Sequence, residues 1–457
     1  MNSIDFSAFR SDIARLQLGL GLFLLASLVY FGRVDVNIVY GGDTWGYYGY
    51  LPSIFIYGDL KNPADTYLAR FEYTHETPRL PEKQGEFTPT ENGNNVIKYT
   101  SGVAILQLPF FLVAHGIAHL LPNVPTDGYS WPYRWLINLS VIFYFLLAIN
   151  WLYRALRTVV NRRSTLWTII LLTVGSNLFN FLVFRGPMAH AYLFSLYALL
   201  IWSTIRFYAV LHWKSALLIG LSAGLITLIR PVEIICLAIP IFYGITSFKA
   251  LKERPLFWWK NIRLIVLAII VYAFIGFLHL CYWKYVSGHW LFFSYGEEGF
   301  DWAKSKIYAG LFDYKNGWLR YSPLLFLALF GVPLLSRRRF RSWLWPVVVF
   351  LPLHIYITYA WWNWYYINGF GSRPMVESYA LLAFPFAVFW TWLRRVPAGR
   401  VVLVSFAIIC SALNLFQHEQ HVRGVLWTEA ANKAYYWSVF GKLKTDYNAL
   451  VAYVSDV

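Results

Sequence analysis

"IRLIVLAIIVYAFIGFLHLCYWK", residues 262–284, stays apolar for longer than a strand needs. A run of roughly 20 such residues, wound as a helix, matches the thickness of a bilayer core. Inside hydrocarbon the backbone must satisfy its own hydrogen bonds, so a spanning segment is a helix or part of a closed barrel. A barrel would show short alternating strands, and this stretch does not. Further apolar runs lie near 14–33, 101–121, 134–153, 165–184, 189–210, 215–229, 232–248, 321–336, 343–361, 374–393 and 400–417. The chain therefore reads as an all-α polytopic membrane protein.

Composition agrees. Of 457 residues, 58% are apolar and 14% charged, too little charge for a soluble surface of this size. The formal net charge is +16. In a soluble protein that excess would suggest nucleic acid. Here the bases gather in short loops between apolar runs, which is the positive-inside pattern, so the expected partner is the lipid bilayer and no nucleic acid. Cys236, Cys281 and Cys410 all sit inside apolar runs and imply neither a disulfide nor a metal framework. The first run has no small-x-small cleavage site and reads as a signal anchor.

The basic loops orient the helices. "YRALRTVVNRR" (153–163), "FKALKERPLFWWKNIR" (248–263), "SRRRFR" (336–341) and "RRVPAGR" (394–400) are expected on the cytoplasmic side, together with Arg10 and Arg15. Segments 34–100 and 287–320 then face outward, with the turns "RGPMAH" (185–190) and "RP" (230–231) and the segment 362–373. The first of these loops carries nine acids against five bases. One parity problem follows: two apolar runs lie between residue 100 and the basic loop at 153–163, where one crossing is required. Either 101–121 is re-entrant, or the helix count is wrong, or one loop breaks the rule. Residues 1–417 are read as the membrane domain, with amphipathic helices in its external loops, and 418–457 as an external C-terminal tail.

Candidate chemistry lies on that outer side. Asp43 follows Gly41-Gly42, a pair that permits a tight turn, and precedes Trp45, Tyr47, Tyr48 and Tyr50. Such rings are common at membrane interfaces. The acid is placed to act as a general base for a hydroxyl substrate. Lys98, in "NNVIKYTSG" (94–102), is either a lysine reaching for the interface or a cation facing a phosphate. Arg230 and Glu233, in "LIRPVE" (228–233), would be costly near hydrocarbon unless they pair or line a wet cavity. Arg373, in "GFGSRPMVES" (369–378), precedes Pro374 at a helix start, with Glu377 one turn on; that arrangement suits an anion. His190 after "RGPMA" is either structural or functional. Glu297, Glu298 and Asp301 carry a weak signal for sugar hydroxyls. His75, His115 and His119 make no recognised metal set, and no P-loop or dinucleotide fingerprint is present. "WWNWYY" (361–366) resembles the WWD-type motif of oligosaccharyltransferases but has Asn363 in place of the acid.

These pieces together resemble the GT-C superfamily of integral-membrane glycosyltransferases, in the bacterial branch near the protein mannosyltransferases and the aminoarabinose transferase of lipid A. The resemblance rests on "GGDTWGYY" (41–48), "KYTSGVAILQLPFF" (98–111), "GLSAGLITLIRP" (220–231), "NGWLRYSPLLFLALFGV" (316–332) and "GFGSRPMVESYALLAFP" (369–385). It implies a GT-C-like bundle of about 11–13 transmembrane helices. It implies an inverting transferase that takes a sugar, hexosyl or pentosyl, from a polyprenyl-phosphate donor to a lipid, glycan or protein acceptor. The site would face the periplasm of a bacterial inner membrane. By the same resemblance Asp43 is the catalytic base, and Lys98, Arg373 and Arg230 hold the donor phosphate. Tyr47, Tyr48, Tyr99, Glu233, Glu377 and His190 are the expected substrate-binding residues. Thr44 stands where many members carry a second acid. No cofactor follows, and a divalent cation is an open alternative. The competing readings are a flippase for lipid-linked sugar, which would show two related halves, and a surface-polysaccharide polymerase or ligase. The latter would favour an Arg-rich central external loop, whereas 287–320 has only Arg320 as an arginine.

Overall fold

The computed structural model describes residues 6–34, 38–74, 76–78, 85–367 and 369–445. His75, the side chain of Arg10 and the last part of the tail lie outside the described residues. Eight described helices are long and apolar enough to cross a membrane: Ser11–Tyr30, Gly102–Leu120, Trp131–Arg157, Ala189–Val210, Ile262–Ser287, Arg341–Ala360, Arg373–Leu393 and Pro397–Val422. Three shorter apolar stretches, Trp213–Ile229, Pro231–Phe242 and Pro323–Ser336, complete the bundle with the pair Arg162–Val174 and Leu178–Val183. Each apolar run of the sequence has its counterpart. The described residues contain one two-stranded antiparallel hairpin, Phe87–Pro89 with Asn95–Ile97, in the first external loop.

The chain ends its helices with ordinary devices. Asn161 accepts from the Ser164 amide at the start of Arg162–Val174, and Ser247 accepts from the Ala250 amide at the next basic loop. Gly288, at φ 81°, closes Ile262–Ser287. Between helices the packing depends on small residues. A methyl group on Gly220 would lie 2.3 Å from the Ala268 carbonyl oxygen, and one on Gly331 would lie 1.9 Å from that of Pro385. Lipid offers no hydrophobic force between helices, so such close backbone approach supplies the packing that holds them.

One expectation needs revision. The run at 165–184 is two helices, broken at Gly175-Ser176-Asn177. The break exists because Asn177 is used for tertiary bonding. Its backbone N–H donates to Ser322 Oγ at 3.0 Å instead of to a carbonyl of the preceding turn, and its side-chain Nδ2 donates to the carbonyls of Phe370 and Ser372, each at 3.1 Å.

The parity problem turns on Gly102–Leu120. Asp12 pairs with Arg162 and accepts from the Tyr153 hydroxyl at 3.0 Å, so the first helix and the 153–163 loop share a face. Gly102 packs on Ile229, Tyr144 donates to the Leu106 carbonyl at 2.8 Å, and His115 lies 2.6 Å from the Tyr133 hydroxyl in the first turn of Trp131–Arg157. These contacts lay Gly102–Leu120 antiparallel along Trp131–Arg157, from its middle at Tyr144 to its start at Tyr133, and the helix is long and apolar enough to cross a membrane.

The two long loops, 34–100 and 287–320, pack on each other. Asn92 and Asn94 donate to the Val286 carbonyl at 3.1 and 2.8 Å, and Thr88 bonds to the Ser294 carbonyl. The tail folds back beside them: Thr428 donates to the Gly369 carbonyl at 2.8 Å, and Tyr435 and Tyr436 pack in one cluster with Tyr321 and Phe370.

Close packing at Gly331 is directly testable. Gly331→Ala places its methyl group against backbone and is expected to cost about 1–3 kcal/mol. Gly19→Ala, with nothing within 4 Å, should be neutral. Thermal unfolding of the purified protein in detergent compares the two; equal melting temperatures would reject the packing argument.

Candidate functional site

One side of the bundle brings together side chains from several separated stretches. Gly41 and Gly42 set the first. A side chain on Gly41 would collide with Glu86 Oε1 at 2.7 Å, and Gly42 adopts φ 73°, which glycine alone reaches without strain. The Gly42 amide bonds to Glu86. This turn starts the short helix Asp43–Tyr48, with Asp43 in its first turn. Gly46 then lets the Tyr99 ring lie against the helix, for a methyl group there would sit 2.2 Å from that ring.

Asp43 is held from two sides. Arg373 Nη1 lies 2.7 Å from Asp43 Oδ2, and the Tyr99 hydroxyl donates to Oδ1 at 2.5 Å. The carboxylate keeps 21% of its surface exposed and Arg373 14%. Burial pushes the Asp43 carboxyl up, but Arg373, the Tyr99 bond and the charges of Lys98 and Arg185 outweigh it and hold it below the ordinary carboxylate range. Burial and the adjacent Asp43 charge push Tyr99 far up, so it stays a donor. Tyr47 stacks near Tyr99 with ring centroids 4.8 Å apart.

Lys98 lies next to this pair but is not free. Its Nζ sits 2.5 Å from Glu298 Oε1 and 5.2 Å from the centre of the Tyr295 ring. Ser294 Oγ donates to its backbone carbonyl at 2.5 Å, which ties the two external loops at this point.

Arg230 and Glu233 do not pair with each other. Arg230 Nη1 donates to Glu377 Oε1 at 2.7 Å, and His190 Nδ1 reaches the same oxygen at 3.0 Å. Glu233 Oε1 lies 3.2 Å from His354 Nδ1, and its other oxygen accepts from Tyr197. The turn at Pro231 separates the two side chains and sends Glu233 inward. His354 Nε2 lies 3.1 Å from the Pro374 carbonyl. A carbonyl can only accept, so Nε2 carries a proton, and Nδ1 is the atom presented to Glu233. The whole group is buried: Glu377 is 0% exposed and Glu233 2%. It sits beneath the segment Arg373–Ser378 and fixes Pro374, next to Arg373.

Of the residues singled out by sequence, Asp43, Arg373, Tyr99, Tyr47 and Lys98 converge at the partly open surface. Arg230 bridges that surface and the buried network of Glu377, His190 and Glu233. Tyr48 lies outside the cluster: it is fully buried, its hydroxyl bonds to the Gly128 carbonyl, and its ring packs toward Phe111 and Tyr129. On a helix, five residues after Asp43 points elsewhere, so Tyr47 and Tyr48 cannot both face the acid.

Three residues that sequence reasoning passed over, Tyr295, Arg185 and Tyr366, belong here, together with Glu298, which it weighed only for sugar hydroxyls. Glu298, Tyr295 and Arg185 surround the Asp43–Arg373 pair. Tyr366, with a positive φ of 48°, places its ring 5.7 Å from the Arg373 guanidinium and 5.9 Å from that of Arg230. The signal for Arg185 was present: it is an arginine in an outward turn with no acid beside it in sequence.

Glu233, His354 and Glu377 each bring one metal-ligating atom within 4.8 Å of the others, a set spread over 144 residues that spacing could not reveal. Glu377 Oε2 is buried and has no hydrogen-bond partner among the described residues. With His354 Nε2 committed to Pro374, the donors suit a small cation or a shared proton.

No protein-family model matches the chain, and no curated protein matches it in sequence. Among solved structures it is similar to crystal structures of the oligosaccharyltransferase of Archaeoglobus fulgidus, at 14% identity. The apo form gives a TM-score of 0.45 over 97% of this chain and 59% of that one. The complex with Zn and sulfate gives 0.43 over 90% and 53%. The form tethered by a disulfide to an acceptor peptide with the NVT sequon gives 0.46 over 94% and 58%. The chain spans little more than half the length of these structures.

The buried network yields a stability prediction. Glu377→Ala leaves Arg230 without its carboxylate and should cost about 3–5 kcal/mol. Glu253→Ala, which breaks the exposed pair with Lys249, should change stability by less than about 1 kcal/mol. Thermal unfolding in detergent measures both, and a Glu377 variant as stable as the Glu253 variant would reject the role assigned to Arg230–Glu377.

Proposed function

We propose that this chain is an inverting glycosyltransferase that moves a hexose or pentose from a polyprenyl-phosphate donor to a lipid, glycan or protein acceptor. The single observation that carries the reading is the Asp43–Arg373 contact, which joins a candidate base and a candidate phosphate-binding cation across 330 residues of sequence at the partly open side of a membrane bundle. The bacterial inner membrane, with the site on its periplasmic face, is the setting this reading assigns.

The chemistry fits the parts. Breaking a glycosyl–phosphate bond puts negative charge on the leaving phosphate, and a fixed cation stabilises that charge most as it grows. Arg373 is that cation, and its guanidinium fork suits phosphate oxygens. The acceptor hydroxyl must lose a proton on the opposite face of the sugar, and Asp43 takes it. In the resting state the two groups neutralise each other. A carboxylate so held is ionised at neutral pH but a weak base. When a donor phosphate draws Arg373 away, Asp43 loses its largest stabilising charge, and its proton affinity rises. The pair therefore keeps the base quiet until donor is bound. Lys98 and Arg230 are held by Glu298 and Glu377, and in this reading they position the loops around the phosphate. The segments 34–100 and 287–320, already bonded to each other, form the cover over the sugar.

Where a divalent cation is used, Glu233, His354 and Glu377 would hold it. There it would neutralise two buried carboxylates and fix the Pro374 turn that carries Arg373.

Asp43→Asn is expected to lower transfer by about 10²–10⁴-fold while donor binding survives. The pH profile adds a second test. The active form of Asp43 is the carboxylate, so activity falls as pH drops through its pKa. In kcat/KM, which reports the free enzyme, the acid limb should lie below the ordinary carboxylate range. In kcat, which reports the donor complex, it should move to higher pH. Radiolabelled polyprenyl-phosphate sugars, purified protein and a membrane extract as acceptor source supply the assay. Undiminished transfer by Asp43→Asn would remove the base assignment, and identical acid limbs would remove the resting pair as its control.

A further inference from the structure

Three cations expected to face a phosphate already have carboxylate partners: Lys98 with Glu298, Arg230 with Glu377 and Arg373 with Asp43. Two others do not. Arg33 follows the first membrane helix, and Arg185 lies in the turn before Ala189–Val210. Neither guanidinium has a hydrogen-bond acceptor or an ion-pair partner among the described residues, and the Nε of each is buried without one.

Their placement is built. Both stack on one ring, with the Arg33 guanidinium carbon 3.8 Å and that of Arg185 5.3 Å from the centre of Phe184. The floor around that ring is His418 and His421, whose ring centroids lie 6.2 and 5.7 Å from Phe184. His421 Nδ1 donates to the Leu426 carbonyl at 3.2 Å, while its Nε2 and both nitrogens of His418 are buried without partners. The same two histidines pack on Phe370, three residues before Arg373, with ring centroids 6.1 and 5.6 Å apart, so the pair adjoins the candidate site, and Arg185 also feels Arg373 and Asp43. Among the described residues, the acids that act on Arg185 are Asp43 and Glu429, with neither at ion-pair distance from it, and Arg33 is acted on by no acid, only by Arg185 and Tyr40. Two like charges held on one ring in a partly buried place repel each other, and a bound anion removes that cost.

We infer that Arg33 and Arg185, stacked on Phe184 beside the Asp43–Arg373 pair, form a phosphate-binding site. Two guanidinium forks converging on one place match the several oxygens of a phosphate group. The site itself rests on the unpaired arginines; naming its phosphate as the sugar donor's rests on the proposed function. A second source is the phosphate of an acceptor or bulk lipid.

The test is lipid binding by the full-length protein in detergent, which requires no turnover. The probes are radiolabelled polyprenyl phosphate, the neutral polyprenol and phosphatidic acid. Arg185→Gln and Arg33→Gln are each expected to weaken polyprenyl phosphate binding about 10-fold or more, the worth of a charge-assisted bond. Polyprenol binding should not change, and neither should binding to Arg338→Gln, an exposed cation on the basic-loop face. A loss confined to polyprenyl phosphate assigns the site to the donor. An equal loss for phosphatidic acid keeps the site and assigns it to lipid phosphate in general. Unchanged polyprenyl phosphate binding in both variants overturns the inference, as does a parallel loss of polyprenol. Should Arg185→Gln fail to fold, Arg33→Gln and Arg185→Lys carry the test. A chain that binds phosphate through these arginines but transfers no sugar keeps the site and loses the transferase.

Discussion

A cation inside an apolar bundle is costly without an anion, and the three that reach a carboxylate shape the candidate site. Arg373 reaches Asp43, Lys98 reaches Glu298 and Arg230 reaches Glu377. Each contact ties segments far apart in sequence. The first joins the opening of the first external loop to the start of Arg373–Leu393. The second joins the two external loops. The third ties the end of Trp213–Ile229 to the same Arg373–Leu393 helix. The pairing thus sets both the charge of the site and the loop positions around it.

Much of this was legible before folding. The apolar runs gave the helices, because a backbone in hydrocarbon has few alternatives. Asp43 after a glycine pair was visible as a candidate base, and Arg373 before a proline at a helix start as a candidate anion site. Their partners were not. Arg230 stands three residues from Glu233, and local reasoning pairs them, yet the turn at Pro231 turns Glu233 toward His354, 121 residues on. Glu298 looked like one of several loop acids until Lys98 was seen beside it. Asn177 sat within an apolar run and gave no sign that it would break the helix to hold the Phe370–Ser372 backbone. These choices depend on which distant atoms the fold brings within reach, which a local pattern does not encode. Gly102–Leu120 shows the same limit: its length and composition match a crossing helix, and its partners, Tyr144 and Tyr133 on Trp131–Arg157, come only from the fold.

The buried group under Arg373 raises a question of energetics. A network of Arg230, Glu377, His190, Glu233 and His354 gains little net stability over apolar packing, because removing each charge from water costs several kcal/mol. What it gains is position. His354 holds the Pro374 carbonyl, and Pro374 follows Arg373 directly. Glu377 holds Arg230 one turn further along. From the other side Asn177 holds the backbone at Phe370 and Ser372, and Gly371 reaches φ 65° between them. The Arg373 backbone is therefore fixed on both flanks, and its side chain alone is left to move. A cation whose backbone is rigid and whose head group has one exchangeable partner can release Asp43 to a competing anion without unfolding its own support. A hydrophobic replacement of the network would hold the helices together equally well, but it would provide no hydrogen bond to Pro374 and so no fixed origin for that exchange.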